Sequence, residues 1–478
     1  MNVSSYILQE KRTLIIFVKI LFFILFCITS VNAQYDEDYV EIRAKGAIPF
    51  SYLNFVRGES RVNIRNTEKL TRDEREDFRY ATNHALREVF ANGEIYFNDP
   101  LTDYVRLVGH QLIDNTTVAD KIEFYVSKSS QMNATSWQTG TIIVNIGLLS
   151  QLENEAQLAF VLAHEIAHFN QQHPYKQYAQ YVKNNRTVKS LELAKQFSQK
   201  TDYNLQYEIE ADSIALQTIQ EFGYDLDEIP NALRLLLHFE PKEIPSFTDF
   251  LSSNLYELQP TQLCTYQEYR SFKQSNNYST GHFSNHHVQT RLKSVNKLIN
   301  IDDPALFAHK TIIDGRFTFD RDLFYNAKHM AHFEVVYQSF LNADYLRSTY
   351  EALVLLHNFP ENQYLKVKIA ENLYYINYYN EKGILSKIYF DNGKIQNDDY
   401  AKLYCLINNL PKSELEQLIY GFIQKSYLSY PRNETMLITM AKFVEQTKSV
   451  KEALPFYQKY VKLFPRGKHY IEAKRKSK

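Results

Sequence analysis

Two histidines and a glutamate stand together in the stretch HEIAH, residues 164–168. An α-helix turns about 100° per residue, so His164 and His168 lie on one face and their imidazoles can reach the same metal ion. Glu165 stands beside them, where its carboxylate can reach a water at the metal. The stretch is equally consistent with an amphipathic core helix that carries two buried histidines. The pattern therefore indicates a zinc peptidase site or a buried histidine pair, and other residues must decide.

A catalytic zinc ion has three protein ligands and one open position, whereas a structural zinc ion has four ligands, usually including cysteine. No cysteine lies near HEIAH. His173 is nine residues after His164 and points to the opposite side of a continuous helix, so it is not expected to be the third ligand. It also stands five residues after His168, where the metzincin pattern requires six. The histidines therefore leave the third ligand unassigned.

A candidate for the third ligand lies in the stretch YEIEADSIA, residues 207–215. Glu208 and Asp212 are four residues apart and share one helical face, whereas Glu210 points away. Glu208 can supply a carboxylate to zinc, and Asp212 can accept a hydrogen bond from a ligand imidazole and fix its tautomer. An isolated motif of this kind is more often an ordinary acidic helix face. Its position downstream of HEIAH favours the metal-binding interpretation.

The elements that carry these motifs are predicted from periodicity and capping residues. Apolar residues at helical spacing indicate helices in TRDEREDFRYATNHALREVF and NDPLTDYVRLVGHQLI, and β-branched runs indicate strands in KIEFYVS and GTIIVNIGLL. The motif helix is expected to begin after Ser150 or Asn154 and to end before Pro174. The acidic helix NLQYEIEADSIALQTIQEF is expected to end at Gly223.

Aromatic–proline pairs end three amphipathic stretches in the C-terminal third: Phe359-Pro360, Tyr430-Pro431 and Phe464-Pro465. The last two pairs are 34 residues apart and the first two are 71 apart, close to two such periods. A period of this length resembles tetratricopeptide repeats, which are stacked helix pairs. We therefore expect an all-α, tetratricopeptide-like repeat domain, with an unspecialised helical bundle as the alternative.

Composition and the N-terminus place the chain among exported globular proteins. The 54 Lys and Arg residues balance 55 Asp and Glu, so no field attracts nucleic acid. A basic stretch, the apolar run ILFFILFCI and Ala33 at a signal-peptidase site predict that residues 1–33 are a cleaved signal peptide, with an uncleaved anchor as the alternative. The two cysteines that remain, Cys264 and Cys405, are expected to be buried thiols.

Together these motifs resemble one known family. The run from FYVSKSSQMNATSW through HEIAH to YEIEADSIALQTIQEFGYD is similar to the CAAX-protease/HtpX-type zinc metallopeptidases, which combine HExxH with a glutamate in an ExxAD motif. The resemblance covers residues 75 to 300, and the exported BepA-type branch with tetratricopeptide tails is similar in plan. It implies an α+β zincin-like metallopeptidase domain, mostly helical with a small sheet, followed by the all-α repeat domain.

Carried over by position, the resemblance implies one Zn²⁺ ion per chain and no small-molecule cofactor. His164, His168 and Glu208 would hold the zinc ion. Glu165 would act as general base and general acid, and Asp212 would support a ligand imidazole.

The resemblance also implies where a substrate binds. Asn133 and Ala134 match the Asn-Ala that precedes the family's substrate-side strand, and GTIIVNIGLL would be that strand. An extended peptide could pair with the edge of this strand and place its carbonyl over the metal.

The chain departs from the family's pattern in one loop. Members often carry Thr-His-Pro six residues before an arginine, and in tailed relatives this histidine can cap the zinc ion and gate activity. FSNHHVQTRL offers Arg291, but Asn285 stands at the aligned position, and His286 and His287 follow it. His286 is the better candidate for a capping or gating role, with a solvated loop residue as the alternative. Arg291 is expected to tie the loop to the catalytic core.

Four segments are expected: a signal peptide (1–33), a linker or docking segment (34–70), the metallopeptidase domain (71–300) and the repeat domain (301–478). The predicted activity is endopeptidase cleavage of misfolded or unassembled exported proteins, which the repeats help to select. The alternative is a chaperone or assembly factor whose zinc site is latent or gated. Expected partners are polypeptides and outer-membrane assembly machinery. The expected location is the periplasm, with membrane association or secretion as alternatives.

Overall fold

The structure is a computed structural model that describes residues 35, 37–65, 68–113, 122–185, 189, 191–192, 194, 203–237, 253, 285–299, 321–383 and 398–478. The predicted signal peptide and Cys264 lie outside the described residues. In the described part the chain is mostly helical, with one three-stranded sheet followed by a helical C-terminal region, which confirms the predicted fold class at this level. No helix in these ranges combines the length and hydropathy of a membrane span.

The sheet and the helices around it come first in the chain. The helices are α1 (Phe50–Arg57), α2 (Arg72–Ala91), α3 (Pro100–Gln111), α4 (Ile146–Gln151), α5 (Glu155–Asn170), α6 (His173–Asn184), α7 (Leu205–Glu221), α8 (Ile229–Leu237) and α9 (Asn285–Ile299). The strands are β1 (Glu123–Ser127), β2 (Ala134–Ser136) and β3 (Thr141–Asn145). α2, α3 and β1 lie where the periodicity predicts them, whereas β2 lies in a stretch with no strand signal. The strand predicted in GTIIVNIGLL is too long, because β3 ends at Asn145 and the residues after it form α4.

The sheet has the strand order β1-β3-β2. β1 pairs with β3 in parallel, and β2 pairs with β3 antiparallel. A tight turn from Trp137 to Gly140 folds β2 back on β3, and it needs glycine because Gly140 has a φ of 89°. β3 is therefore the central strand, and the prediction that a substrate pairs with its edge is wrong. Among the described residues, the open edge on this side of the sheet belongs to β2.

The helix that carries HEIAH is buried on every side. The Asn154 side chain caps α5, as one of the two predicted starts, by accepting a hydrogen bond of 3.0 Å from a backbone N–H of the first turn. Residues 156–169 are all buried. α5 ends at Asn170 because Gln172 adopts a left-handed conformation with a φ of 56°, and Pro174 then stands in the first turn of α6.

The acidic helix α7 lies against α5 and holds the second motif. The Asn204 side chain caps it, and Gly223, with a φ of 75°, follows its end as the sequence predicts. α9 packs against α7 and α8, and this contact brings Arg291 to the acidic residues of α7. Three helices thus meet where the HEIAH and ExEAD motifs face each other.

The C-terminal region is built from helices, most of which pack on a neighbour in sequence. They are α10 (Arg321–Leu341), α11 (Tyr345–Asn358), α12 (Gln363–Glu381), α13 (Asp398–Asn409), α14 (Lys412–Ser429), α15 (Glu434–Thr447), α16 (Val450–Leu463) and α17 (Tyr470–Lys476). Phe359, Tyr430 and Phe464 each form the C-cap of a helix, so all three aromatic–proline pairs end helices as predicted. Cys405 on α13 is disulfide-bonded, so the prediction of a buried thiol is wrong for this residue.

The first described residues pack against the C-terminal helices. The Tyr35 hydroxyl donates to Asn326 Oδ1 at 2.5 Å, and the Tyr35 carbonyl accepts from Asn362 Nδ2 at 2.6 Å. The Tyr39 ring stacks on Phe333 with 4.3 Å between the ring centroids. These contacts join the start of the chain to α10 and to the N-terminus of α12.

Glu334 on α10 is the central polar group of this junction. Its carboxylate is fully buried and accepts hydrogen bonds from the Tyr39 hydroxyl (2.8 Å), the Ile42 N–H (2.7 Å) and the Tyr96 hydroxyl (2.6 Å). Burial raises the pKa of Glu334, against these hydrogen bonds, which lower it. This one side chain thus links the helical region to the N-terminal segment and to the loop before α3.

Replacing Glu334 by alanine is expected to lower the free energy of unfolding by at least about 2 kcal/mol, because the buried donors lose their acceptor. Urea denaturation measures this loss. Glu88→Ala on α2, where the side chain is 65% exposed, is the matched control and should change stability by less than about 0.5 kcal/mol. Equal losses in both variants would contradict the role given to Glu334.

Candidate active site

Two helices bring three metal-ligating side chains together. The Nε2 atoms of His164 and His168, on α5, are 2.9 Å apart. Glu208, on α7, places its carboxylate oxygens 3.5 Å from His164 Nε2 and 3.8 Å from His168 Nε2. Three ligand atoms, one from each residue, all lie within 4.8 Å of one another. Ligands bound to one zinc ion in tetrahedral geometry are separated by about 3.4 Å, so the donors fit this metal in number, type and spacing.

Each imidazole is held through its other nitrogen. His164 Nδ1 lies 2.9 Å from Asp212 Oδ1, which is the contact expected from the second motif. His168 Nδ1 lies 2.8 Å from His173 Nδ1, and His173 Nε2 lies 3.4 Å from the Glu210 carboxylate. Because the Nδ1 atoms are engaged in this way, both Nε2 atoms face the space where a cation would be bound.

His173 is a residue whose place in the site the sequence reasoning missed. Its spacing excludes it as a ligand only if α5 continues, but α5 stops at Asn170 and the left-handed Gln172 turns the chain back. His173 therefore lies over His168, fully buried, with its ring stacked on Tyr207. The signal available in the sequence was Pro174, because proline is typical of the first turn of a helix and so indicates a new helix that begins at His173.

Replacing His173 by alanine is expected to weaken zinc binding by about 10- to 100-fold, because the His168 ring loses the group that orients it. Zinc affinity is measured by competition with a chromophoric chelator. His84→Ala on α2, a side chain that is 46% exposed, is the matched control and should bind zinc like the unmodified protein. An unchanged affinity for His173→Ala would mean that α5 alone orients His168.

The two carboxylates beside the imidazoles have opposite environments. Burial raises the pKa of Glu165 to about 7, against the positive charges of His164 and Arg291. Burial also acts on Glu208, but the charge of Arg291 and the hydrogen bond from His164 outweigh it and lower the pKa of Glu208 to about 2. Glu208 is thus a permanently ionised ligand candidate, whereas Glu165 can take up and release a proton near neutral pH.

Arg291 ties α9 to the acidic face of α7. Its Nε and Nη2 donate to the two Asp212 oxygens at 2.8 Å and 2.7 Å, and its Nη1 lies 2.6 Å from Glu208 Oε2. This geometry agrees with the structural role proposed for Arg291. His286 and His287 belong to the first turn of α9, but their side chains lie outside the described part, so the proposed capping role of His286 rests on the sequence.

The two substrate-binding candidates lie at the sheet edge nearest to α5. Ala134 is the first residue of β2, and Asn133 precedes it. The Asn133 carbonyl accepts from the Asn145 N–H on β3 at 3.1 Å, so Asn133 faces the centre of the sheet. β2 packs against α5, the helix that carries both imidazoles.

Two imidazoles and a glutamate from HExxH on one helix, with a second glutamate from a following helix, are the residue arrangement typical of gluzincin metallopeptidases. Comparison with known families gives the same class, since residues 101–299 match peptidase family M48. This match covers 199 of the 478 residues, lies over both motifs and confirms the resemblance to metallopeptidases seen in the sequence.

Proteins of known function are similar to parts of the chain. The beta-barrel assembly-enhancing protease of Yersinia pestis is 33% identical over 89 residues, 18% of this chain and 18% of the relative. The beta-barrel assembly-enhancing protease of Escherichia coli (strain K12) is 28% identical over 163 residues, 29% of this chain and 34% of the relative. The chain thus spans between 18% and 34% of the length of these relatives.

Proposed function

We propose that the protein is a zinc-dependent endopeptidase with one Zn²⁺ ion held by His164, His168 and Glu208. The observation that carries the proposal is the convergence of these three donors beside Glu165, a carboxylate that no ligand role explains. Zinc bound there would supply a Lewis acid that polarises the scissile carbonyl. Glu165 would take a proton from the attacking water and deliver it to the leaving amine.

The supporting residues keep this chemistry in place. Asp212 and His173 orient the two imidazoles through their Nδ1 atoms, and Arg291 fixes the carboxylates of α7. In the metal-free site burial lowers the pKa of His164, but Asp212 and Glu208 outweigh it and raise that pKa to about 9. A bound cation must displace this proton, as metal ligands are deprotonated.

We propose that the substrates are misfolded or unassembled exported proteins. The signal-peptide pattern in residues 1–33 supports export to the periplasm, and the disulfide at Cys405 is typical of an oxidising compartment. The similar proteases are named for β-barrel assembly, which supports a link to outer-membrane assembly machinery. The domain limits 71–300 and 301–478, and tetratricopeptide-like docking through the second domain, belong to the same proposal.

Cleavage of an unfolded test protein examines the activity directly. The purified protein is assayed as prepared, after metal removal by a chelator, and after addition of Zn²⁺ or Mg²⁺. We expect the chelator to abolish cleavage and Zn²⁺, but not Mg²⁺, to restore it, because imidazole ligands select zinc over magnesium. Cleavage that continues in the metal-free protein would overturn the assignment.

A further inference from the structure

The open edge of β2 offers few backbone groups to a substrate. Asn133 and Trp137 bond to β3: the Asn145 N–H donates to the Asn133 carbonyl at 3.1 Å, and the Trp137 N–H donates to the Thr141 carbonyl at 2.9 Å. Backbone groups of alternate residues point to opposite sides of an antiparallel strand. The groups of Ala134 and Ser136 therefore face away from β3, toward the edge on which no described strand is paired, and an extended peptide can add there as a further strand.

The Tyr203 side chain already bonds to one of these backbone groups. It stands directly before the cap of α7, and its hydroxyl donates a hydrogen bond to the Ser136 carbonyl at 3.3 Å. Its ring stacks on the imidazole of His168, with 4.1 Å between the ring centroids and 20° between the planes. Tyr203 thus spans the distance from a candidate metal ligand to the edge strand, across the path of a peptide that pairs along β2.

We infer that Tyr203 determines how far a substrate can pair with β2, which deepens the proposed function and rests on it. With its hydroxyl bonded to Ser136, a peptide can pair at Ala134 but must displace Tyr203 to pair at Ser136 as well. Short extended peptides are accepted without this displacement, whereas longer ones compete with the hydroxyl. Tyr203 is in this sense a specificity-determining residue for substrate length.

The only tryptophan of the chain gives a direct readout, because Trp137 follows Ser136 and its fluorescence responds to a strand added beside it. Binding is measured with zinc-loaded protein in the Glu165→Gln background, so that no peptide is cleaved. Two extended peptides, of four and of ten residues, are titrated into this variant and into the variant that also carries Tyr203→Phe. Phenylalanine keeps the stacking on His168 and removes only the hydroxyl.

We expect Tyr203→Phe to bind the ten-residue peptide about three- to tenfold more tightly, the gain from removing one competing hydrogen bond, and to bind the four-residue peptide unchanged. Tyr178→Phe is the matched control, since its hydroxyl also donates to a backbone carbonyl, that of Glu74 at 3.1 Å, in another part of the core. It should leave both affinities unchanged.

Three outcomes would overturn the inference. If the Glu165→Gln protein binds the ten-residue peptide equally tightly with and without Tyr203→Phe, the hydroxyl does not limit pairing. Weaker binding, or a loss of kcat when Tyr203→Phe is placed in the active protein, would make Tyr203 a group that contacts the substrate instead. If zinc is bound but neither peptide binds to any variant, the proposed peptidase function fails, and the inference fails with it.

Discussion

Glu165→Gln is expected to lower kcat for peptide cleavage by about 10²- to 10⁴-fold, the usual contribution of a positioned general base. The amide has the same shape as the carboxylate but does not accept the proton from water. Zinc content should not change, because His164, His168 and Glu208 are untouched. The measurements are kcat on an unfolded test protein and the zinc-to-protein ratio by atomic emission.

Glu155→Gln is the matched control for this substitution. Glu155 lies in the first turn of the same helix, where its carboxylate accepts from Tyr104 and Tyr224 at 2.7 Å and 3.1 Å, away from the imidazoles. The kcat of Glu155→Gln should stay near that of the unmodified protein. Turnover retained in Glu165→Gln with zinc bound would remove Glu165 as the base.

The same variant separates the enzyme from the alternative of an assembly factor with a latent site. If the Glu165→Gln protein rescues a strain that lacks this protein, the biological role needs the folded protein but not peptide hydrolysis. Failure of rescue, with the variant present at normal levels, would tie the biological role to peptide cleavage.

Arg291→Leu is expected to lower the free energy of unfolding of the metal-free protein by about 3–5 kcal/mol, because it leaves the buried Asp212 and the partly buried Glu208 without a cation. Arg291 is 6% exposed and is bonded to both Asp212 and Glu208. Zinc would compensate part of this charge, so the loss should be smaller after zinc addition. Urea denaturation with chelator and with zinc measures both values.

Arg79→Leu is the control for the loss of an arginine. Arg79 pairs with Glu76 on α2 at 2.5 Å, but its side chain is 38% exposed, and such pairs contribute little. We expect a change below about 1 kcal/mol. A similar small change in Arg291→Leu would show that the cluster around Asp212 tolerates unpaired charge.

Local patterns in the sequence predicted the parts of the site that depend on one helix. The spacing of His164 and His168, and of Glu208 and Asp212, fixes which side chains share a face, and the Asn154 cap fixes where α5 begins. That α5 and α7 face each other was predicted from the resemblance to a family, not from the spacing of residues. Chemistry that depends on the geometry of a single helix is therefore predictable from the order of its residues.

The rest of the site depends on how distant segments meet. The residues of β3 carry the strand signal, but strand order depends on the hairpin turn at Gly140, so the open edge belongs to β2 instead. The position of His173 depends on a single left-handed residue, Gln172. Tyr203 reaches His168 and Ser136 only because α7 packs on α5, and nothing in the stretch around Tyr203 indicates this.

The junction around Tyr35 and Tyr39 sets the order in which the protein can mature. Their hydrogen-bond partners, Asn326, Glu334 and Asn362, lie 291, 295 and 327 residues further along the chain. Synthesis proceeds from the N-terminus, and contacts between such distant residues form slowly. Tyr35 and Tyr39 thus lack these partners until α10 and the beginning of α12 have been synthesised. A polypeptide that ends before α10 lacks all three partners and therefore cannot bury Tyr35 and Tyr39 in this junction.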